Sequence, residues 1–171
     1  HLMFLPSVLP HVLEGFQLSE QAAITTAGTV MMAYMATAIA GNYLLVRLAY
    51  RMGIARIVVV ACLSAAALQG LLYFSAGVYS FTLIRVLQTG MIAAVIPLVI
   101  ATFAGGGGGG TTLGFLNSGR FVGNALGPLM ATTLLAHFGL LTLYLTIATL
   151  TILMLAAFLP SMRNPDTVKP S

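Results

Sequence analysis

With 171 residues, of which 59% are hydrophobic and only 6% charged, the chain cannot build a water-soluble surface, which takes roughly 25% Asp, Glu, Lys and Arg. Its formal net charge of +4 and pI of about 9.7 raise nucleic acid as a partner, but the basic residues fall between or after long apolar runs, so the basicity marks membrane topology and no nucleic-acid partner is expected. Those runs are continuous rather than alternating apolar and polar, which excludes a strand barrel.

Residues 1–16 are apolar and carry Pro6 and Pro10. As a helix they would reach about 24 Å at about 1.5 Å per residue, short of the roughly 30 Å of hydrocarbon. They therefore read as the outer end of a span that starts before His1. A signal peptide would need a basic start and a small-residue cleavage site, and neither is present. Residues 14–20 read as an external connection, with His11 and Glu14 spaced to share a proton. Ser19, followed by Glu20 and Gln21, is a helix start whose hydroxyl can cap free amides.

Five complete spans follow, at about 20–46, 55–76, 79–104, 112–137 and 140–160, each near the roughly 20 residues that a membrane helix needs. The expected fold is all-α and integral to the membrane: a bundle of five complete transmembrane helices plus the outer end of a sixth. Its domains are a transmembrane region over 1–161, with 1–16 as the partial span, and a cytoplasmic tail over 162–171. Arg47, Arg51 and Arg56, around Gly53, put the connection after the first complete span in the cytoplasm. The turn at 77–79 then lies outside, the loop at 105–111 inside, the turn at 138–140 outside, and the tail with Arg163 and Lys169 inside.

Met31, Met32 and Met35, with Tyr34, sit in the first complete span, where thioethers suit either a pocket for varied apolar ligands or a lipid-facing surface. Cys62 lies inside the next span and reads as a small buried apolar residue. In the third, Arg85, Gln88 and Thr89 form a polar cluster about two turns inside the boundary, deeper than an orientation signal requires. Arg85 is either part of a functional network or tied to carbonyls and headgroups. Pro97, deeper in the same helix, marks a kink. Six glycines, Gly105 to Gly110, read either as a flexible connection or as positions whose side chains were never identified; no Lys follows them, so a phosphate-binding loop is excluded.

The fourth complete span holds the densest signal. Gly119, Gly123 and Gly127 repeat every four residues, which strips one stripe of bulk and predicts close helix packing. Pro128 follows directly and is expected to bend or loosen the helix. Asn117, Arg120 and Asn124 share a neighbouring face. They line a cavity or, alternatively, Arg120 snorkels to the cytoplasmic surface and the asparagines bond between helices. His137 stands alone at an external end. The acids Glu14, Glu20 and Asp166 all lie at edges, so none is in mid-membrane. With no metal-ligand cluster, no Ser/His/Asp set and no nucleotide fingerprint, no enzyme activity, metal or cofactor is expected.

At these residues the chain resembles the major facilitator superfamily, and within it the C-terminal half of a twelve-helix bacterial drug:proton antiporter. RVLQTGMIAAVIP, from Arg85 to Pro97, is similar to the family's tenth helix, with Thr89 where a glycine commonly stands and Gly90 one place late. NSGRFVGNALGPLM, from Asn117, looks like the glycine-spaced eleventh helix that ends in Gly-Pro. LAYRMGIAR, from Leu48 to Arg56, resembles the cytoplasmic loop between the second and third helices of each half. Tyr50 replaces its acidic residue and Val46 its leading glycine.

The resemblance implies a major-facilitator half-fold in a bacterial inner membrane, partnered by the lipid bilayer, by a six-helix N-terminal half or other membrane subunits, and by a small-molecule substrate. It implies proton-coupled efflux of amphipathic molecules by alternating access. Arg85, Gln88, Tyr34, Asn117, Arg120 and Asn124 would form the substrate or coupling network, and Gly119, Gly123, Gly127 and Pro128 the helix contact. Any proton-coupling acid would lie in the other half. The rival expectation is a transporter-like chain acting as a structural or assembly subunit of a larger membrane complex.

Overall fold

A computed structural model of the chain describes residues 5–105 and 110–163, and every element among them is helical. Helix α1 (Leu5–Glu14) contains Pro10 and ends at a turn where Phe16 and Gln17 donate to the carbonyls of Leu13 and Glu14 at 3.0 and 2.9 Å. Gln17 adopts φ 64°, the left-handed region that a side chain disfavours. Helix α2 (Glu20–Met52) starts as Ser19 predicts: its hydroxyl accepts from the Ala22 amide at 3.4 Å, and acidic Glu20 sits in the first turn.

At 33 residues, α2 is about 50 Å long and outruns the apolar stretch 20–46. Arg47 and Arg51 lie on its last turns, where cations oppose the carbonyl end of the helix dipole. The expected loop from Arg47 to Arg56 is therefore not a loop. Gly53 alone, at φ 94°, separates α2 from α3 (Ile54–Leu71), a backbone conformation that costs glycine little.

A 3-10 turn at Leu72–Phe74 ends α3. Ser80 then caps α4 (Val78–Ile92) by accepting from the Gly77 amide at 3.2 Å. Helix α4 gives way to α5 (Val95–Gly105) across Ala93 and Ala94. Proline has no N–H for the carbonyl four residues back and its ring crowds that carbonyl, so Pro97 breaks the ladder at Ala93; bonding resumes from Leu98 to Ala94 at 3.1 Å. The kink read from Pro97 is thus a helix break one turn before the proline.

Helix α6 (Gly110–Arg163) runs 54 residues, with non-helical backbone at Gly139 (φ 78°, ψ 177°). Pro128 leaves α6 helical, and the Thr132 hydroxyl donates to the Pro128 carbonyl at 3.0 Å. Residues on both sides of Gly139 share one core, where Ala131 meets Leu143, Tyr144 and the buried α1 residues Leu9 and Leu13. A second core gathers Ala49, Ile57, Val58, Ala94 and Leu155 at the Gly53 end.

Among the described residues, four helical stretches are long and apolar enough to cross a membrane: Glu20–Met52, Ile54–Phe74, Val78–Phe103 and Leu113–Pro160. The last, at 48 residues, takes in both of the final spans read from the sequence. Outward faces are apolar, with Met32 76% and Ile39 75% exposed, as suits a surface solvated by lipid. The glycines at 106–109 and the tail at 164–171 lie outside the described residues.

Candidate functional site

Helix α4 places Arg85, Gln88 and Thr89 on one face, three and four residues apart, and turns that face inward. Each of the three is 0% exposed, and so are Gln69 of α3 and Tyr34 of α2. Arg85 Nη1 donates to Gln88 Oε1 at 2.5 Å, and Gln88 Nε2 donates to Gln69 Oε1 at 2.5 Å and to the Ala65 carbonyl at 3.1 Å. These three bonds fix the orientation of the Gln88 amide, since its oxygen faces a cation and its nitrogen faces two acceptors. The Arg85 guanidinium also lies 5.4 Å from the centroid of the Tyr34 ring, within range of a cation–π attraction.

Burying a cation costs several kcal/mol, roughly, unless dipoles and hydrogen bonds replace water. The Gln88 carbonyl and the Tyr34 ring supply that replacement here. Three further buried polar atoms have no hydrogen-bond partner among the described residues: the Tyr34 hydroxyl, Gln69 Nε2 and Thr89 Oγ1. Such orphans are uncommon in folded proteins and mark positions where water or an incoming polar group completes the set. Between Glu20 and Asp166 the sequence has no carboxylate, so no acid from these helices enters the cluster.

A second group lies on α6. Arg120, Gly123, Asn124 and Gly127 line a cavity of about 630 Å³ that also takes in Met130 and Leu134, residues 143–158 across Gly139, and the α4–α5 break. Asn117 and Gly119 are exposed and do not line it. The structure therefore divides the expected network in two: Arg85, Gln88 and Tyr34 come together, Arg120 and Asn124 come together elsewhere, and Asn117 joins neither.

The glycine stripe meets no neighbouring helix among the described residues: a Cβ added at Gly119, Gly123 or Gly127 finds nothing within 4 Å. The close approach is between Gly41 of α2 and Gly90 of α4, where a Cβ added at Gly41 would stand 2.6 Å from the Gly90 Cα. No Cβ fits there, so the contact requires a bare backbone on α2.

Around Gly53, the arginines Arg47, Arg51 and Arg56 are exposed and make no ion pair among the described residues. His11 Nδ1 lies 3.7 Å from Glu14 Oε2 at the other end of the bundle, with both side chains exposed. Met32 faces outward while Tyr34 turns in, and Cys62 is a buried free thiol. No group of three metal-ligating side chains occurs among the described residues.

Sequence reasoning passed over Gln69 and Gly41. The signal for Gln69 was available, because a lone amide in an otherwise apolar span needs a partner as much as Arg85 does. A family model described as Major Facilitator Superfamily matches residues 2–171 of the chain. No curated protein and no solved structure matches it.

Proposed function

The chain belongs to the major facilitator superfamily, and on that premise we propose that it is the C-terminal half of a twelve-helix, proton-coupled exporter of small amphipathic molecules. A membrane transporter of this type works by alternating access, with two six-helix halves rocking about a path near the bilayer midplane. In this reading the chain contributes helices eight to twelve and the end of seven, sits in a bacterial inner membrane, and keeps its C-terminus in the cytoplasm.

The count of five complete spans rests on α6. A single helix of its length would be about 80 Å long, far more than the roughly 30 Å of hydrocarbon. Gly139 interrupts it, and Ala131 and Ile147, like Leu134 and Leu143, line one cavity from opposite sides of that break, as two antiparallel arms would. The orientation rests on Arg47, Arg51 and Arg56 collecting around Gly53 at one end of the bundle.

The observation that carries the transport reading is the buried cluster of Arg85 and Gln88 on α4 with Gln69 of α3, all at 0% exposure, where α4 breaks two turns after Arg85. A cation kept inside a membrane protein marks an ion or substrate pathway more often than an anchor. Here Arg85 and Gln88 act in the gating or coupling network, the unmatched polar atoms of Tyr34, Gln69 and Thr89 meet a group from the other half, and that half supplies the proton-carrying acid.

Efflux from proteoliposomes under an imposed proton gradient, measured with the full-length protein, tests this. Arg85→Ala abolishes coupled efflux while membrane insertion persists, and Arg85→Lys recovers it in part, because lysine lacks the planar fork of donors. Wild-type efflux in Arg85→Ala would refute the assignment and favour a structural subunit.

A further inference from the structure

We propose that the cavity between the two arms of α6 binds a single-chain anionic amphiphile, with its acid group at Arg120 and Asn124 and its tail running toward Leu134 and Leu143. Residues of α3, α4, α5 and both arms of α6 line it, and Arg120, Gly123 and Asn124 are exposed.

Charge selects the headgroup. Among the described residues Arg120 is the one charged residue that lines the cavity and no carboxylate does, and Arg120 makes no hydrogen bond or ion pair with another described residue. An anion gives the guanidinium the partner it lacks, and the Asn124 amide adds a donor beside it. A cationic amphiphile would meet an uncompensated like charge.

Shape selects the tail. Arg120 and Leu134 are separated by about 21 Å along α6, taking about 1.5 Å per residue. The rest of the lining is mostly apolar, Ile96, Val99 and Leu150 among it, and a Cβ added at Gly123 or Gly127 meets nothing within 4 Å. A volume of about 630 Å³ falls within the roughly 300–1,000 Å³ of sites that hold one small ligand, which favours one acyl chain over a two-chain lipid. The glycine spacing thus clears a channel for a tail.

Equilibrium binding of radiolabelled dodecanoate to the full-length protein in phosphatidylcholine nanodiscs tests the site, against dodecyltrimethylammonium and dodecanol, which keep the tail and change the head. Dodecanoate binds tightest. Arg120→Gln weakens it by roughly ten- to a hundredfold, the range expected for losing a hydrogen bond to a charged group, and leaves dodecanol binding unchanged; Arg120→Lys keeps most of the affinity. Gly123→Leu fills the channel and removes binding of all three, with an unchanged melting temperature because the new side chain enters open space.

Equal binding of the cation, or undiminished dodecanoate binding in Arg120→Gln, overturns the proposal. So does displacement of dodecanoate by phosphatidylglycerol at equal mole fraction, which would give the site to a bilayer lipid. If Gly123→Leu fails to fold, the Arg120 variants decide. No proton gradient enters the measurement, so loss of this binding and loss of coupled efflux are separate results.

Discussion

The Gln88 amide is held in one orientation, because reversing it would set an N–H against the Arg85 guanidinium and an oxygen against two acceptors. Gln88→Leu should therefore lower stability by about 1.5–3 kcal/mol, the usual worth of a hydrogen bond to a charged group. Tyr34→Phe removes a hydroxyl that has no partner among the described residues and keeps the ring under Arg85, so it should change stability by less than about 0.5 kcal/mol. Thermal unfolding in detergent compares the two. Equal losses would mean that the Tyr34 hydroxyl has a partner after all. If Tyr34→Phe melts like wild type but transports poorly, the hydroxyl serves a group that arrives during transport.

Between helices, the tightest constraint is Gly41 against Gly90. Gly41→Leu forces α2 and α4 apart and should lower stability by about 1–3 kcal/mol or more, as overpacking does, whereas Gly123→Ala should be silent. Melting temperatures of the two variants side by side check this, and an equal drop would mean that the α6 glycines also carry a helix contact. What was legible in the sequence follows the same division. Ser19 and Pro97 act through their own backbone within one turn, so their effects could be read locally. Arg85 could be read as deep because hydropathy fixes depth along a span. Glycine spacing announces that a helix can be approached but not what approaches it, so neither the partner of Gly119, Gly123 and Gly127 nor the close contact at Gly41 is legible from it. Apolarity stops at 46, which is where the sequence alone ends the span, yet α2 stays helical through Arg47 and Arg51 to Met52.

At the scale of the whole molecule, sidedness is open to a direct test. Gln17 and Gly77 lie in turns at one end of the bundle, and Tyr50, 83% exposed, lies at the other near Gly53. Cys62 is buried, so the native thiol gives an impermeant reagent little background. In intact cells Gln17→Cys and Gly77→Cys should be labelled from outside and Tyr50→Cys only after permeabilisation. The reverse pattern would invert the topology.

A single residue, Gly53, joins a helix of 33 residues to one of 18. A joint that short has no slack: its amide is still bonded to the Ala49 carbonyl at 2.9 Å, and Ala49 packs with Ile57 and Val58 just beyond the bend. Helices α2 and α3 therefore form the two legs of a rigid bracket, and any tilt of one during a transport cycle carries the other through the same angle. The break between α4 and α5 and the non-helical Gly139 lie outside this bracket, so the bracket is the part of the chain that has no interruption of its own beyond Gly53.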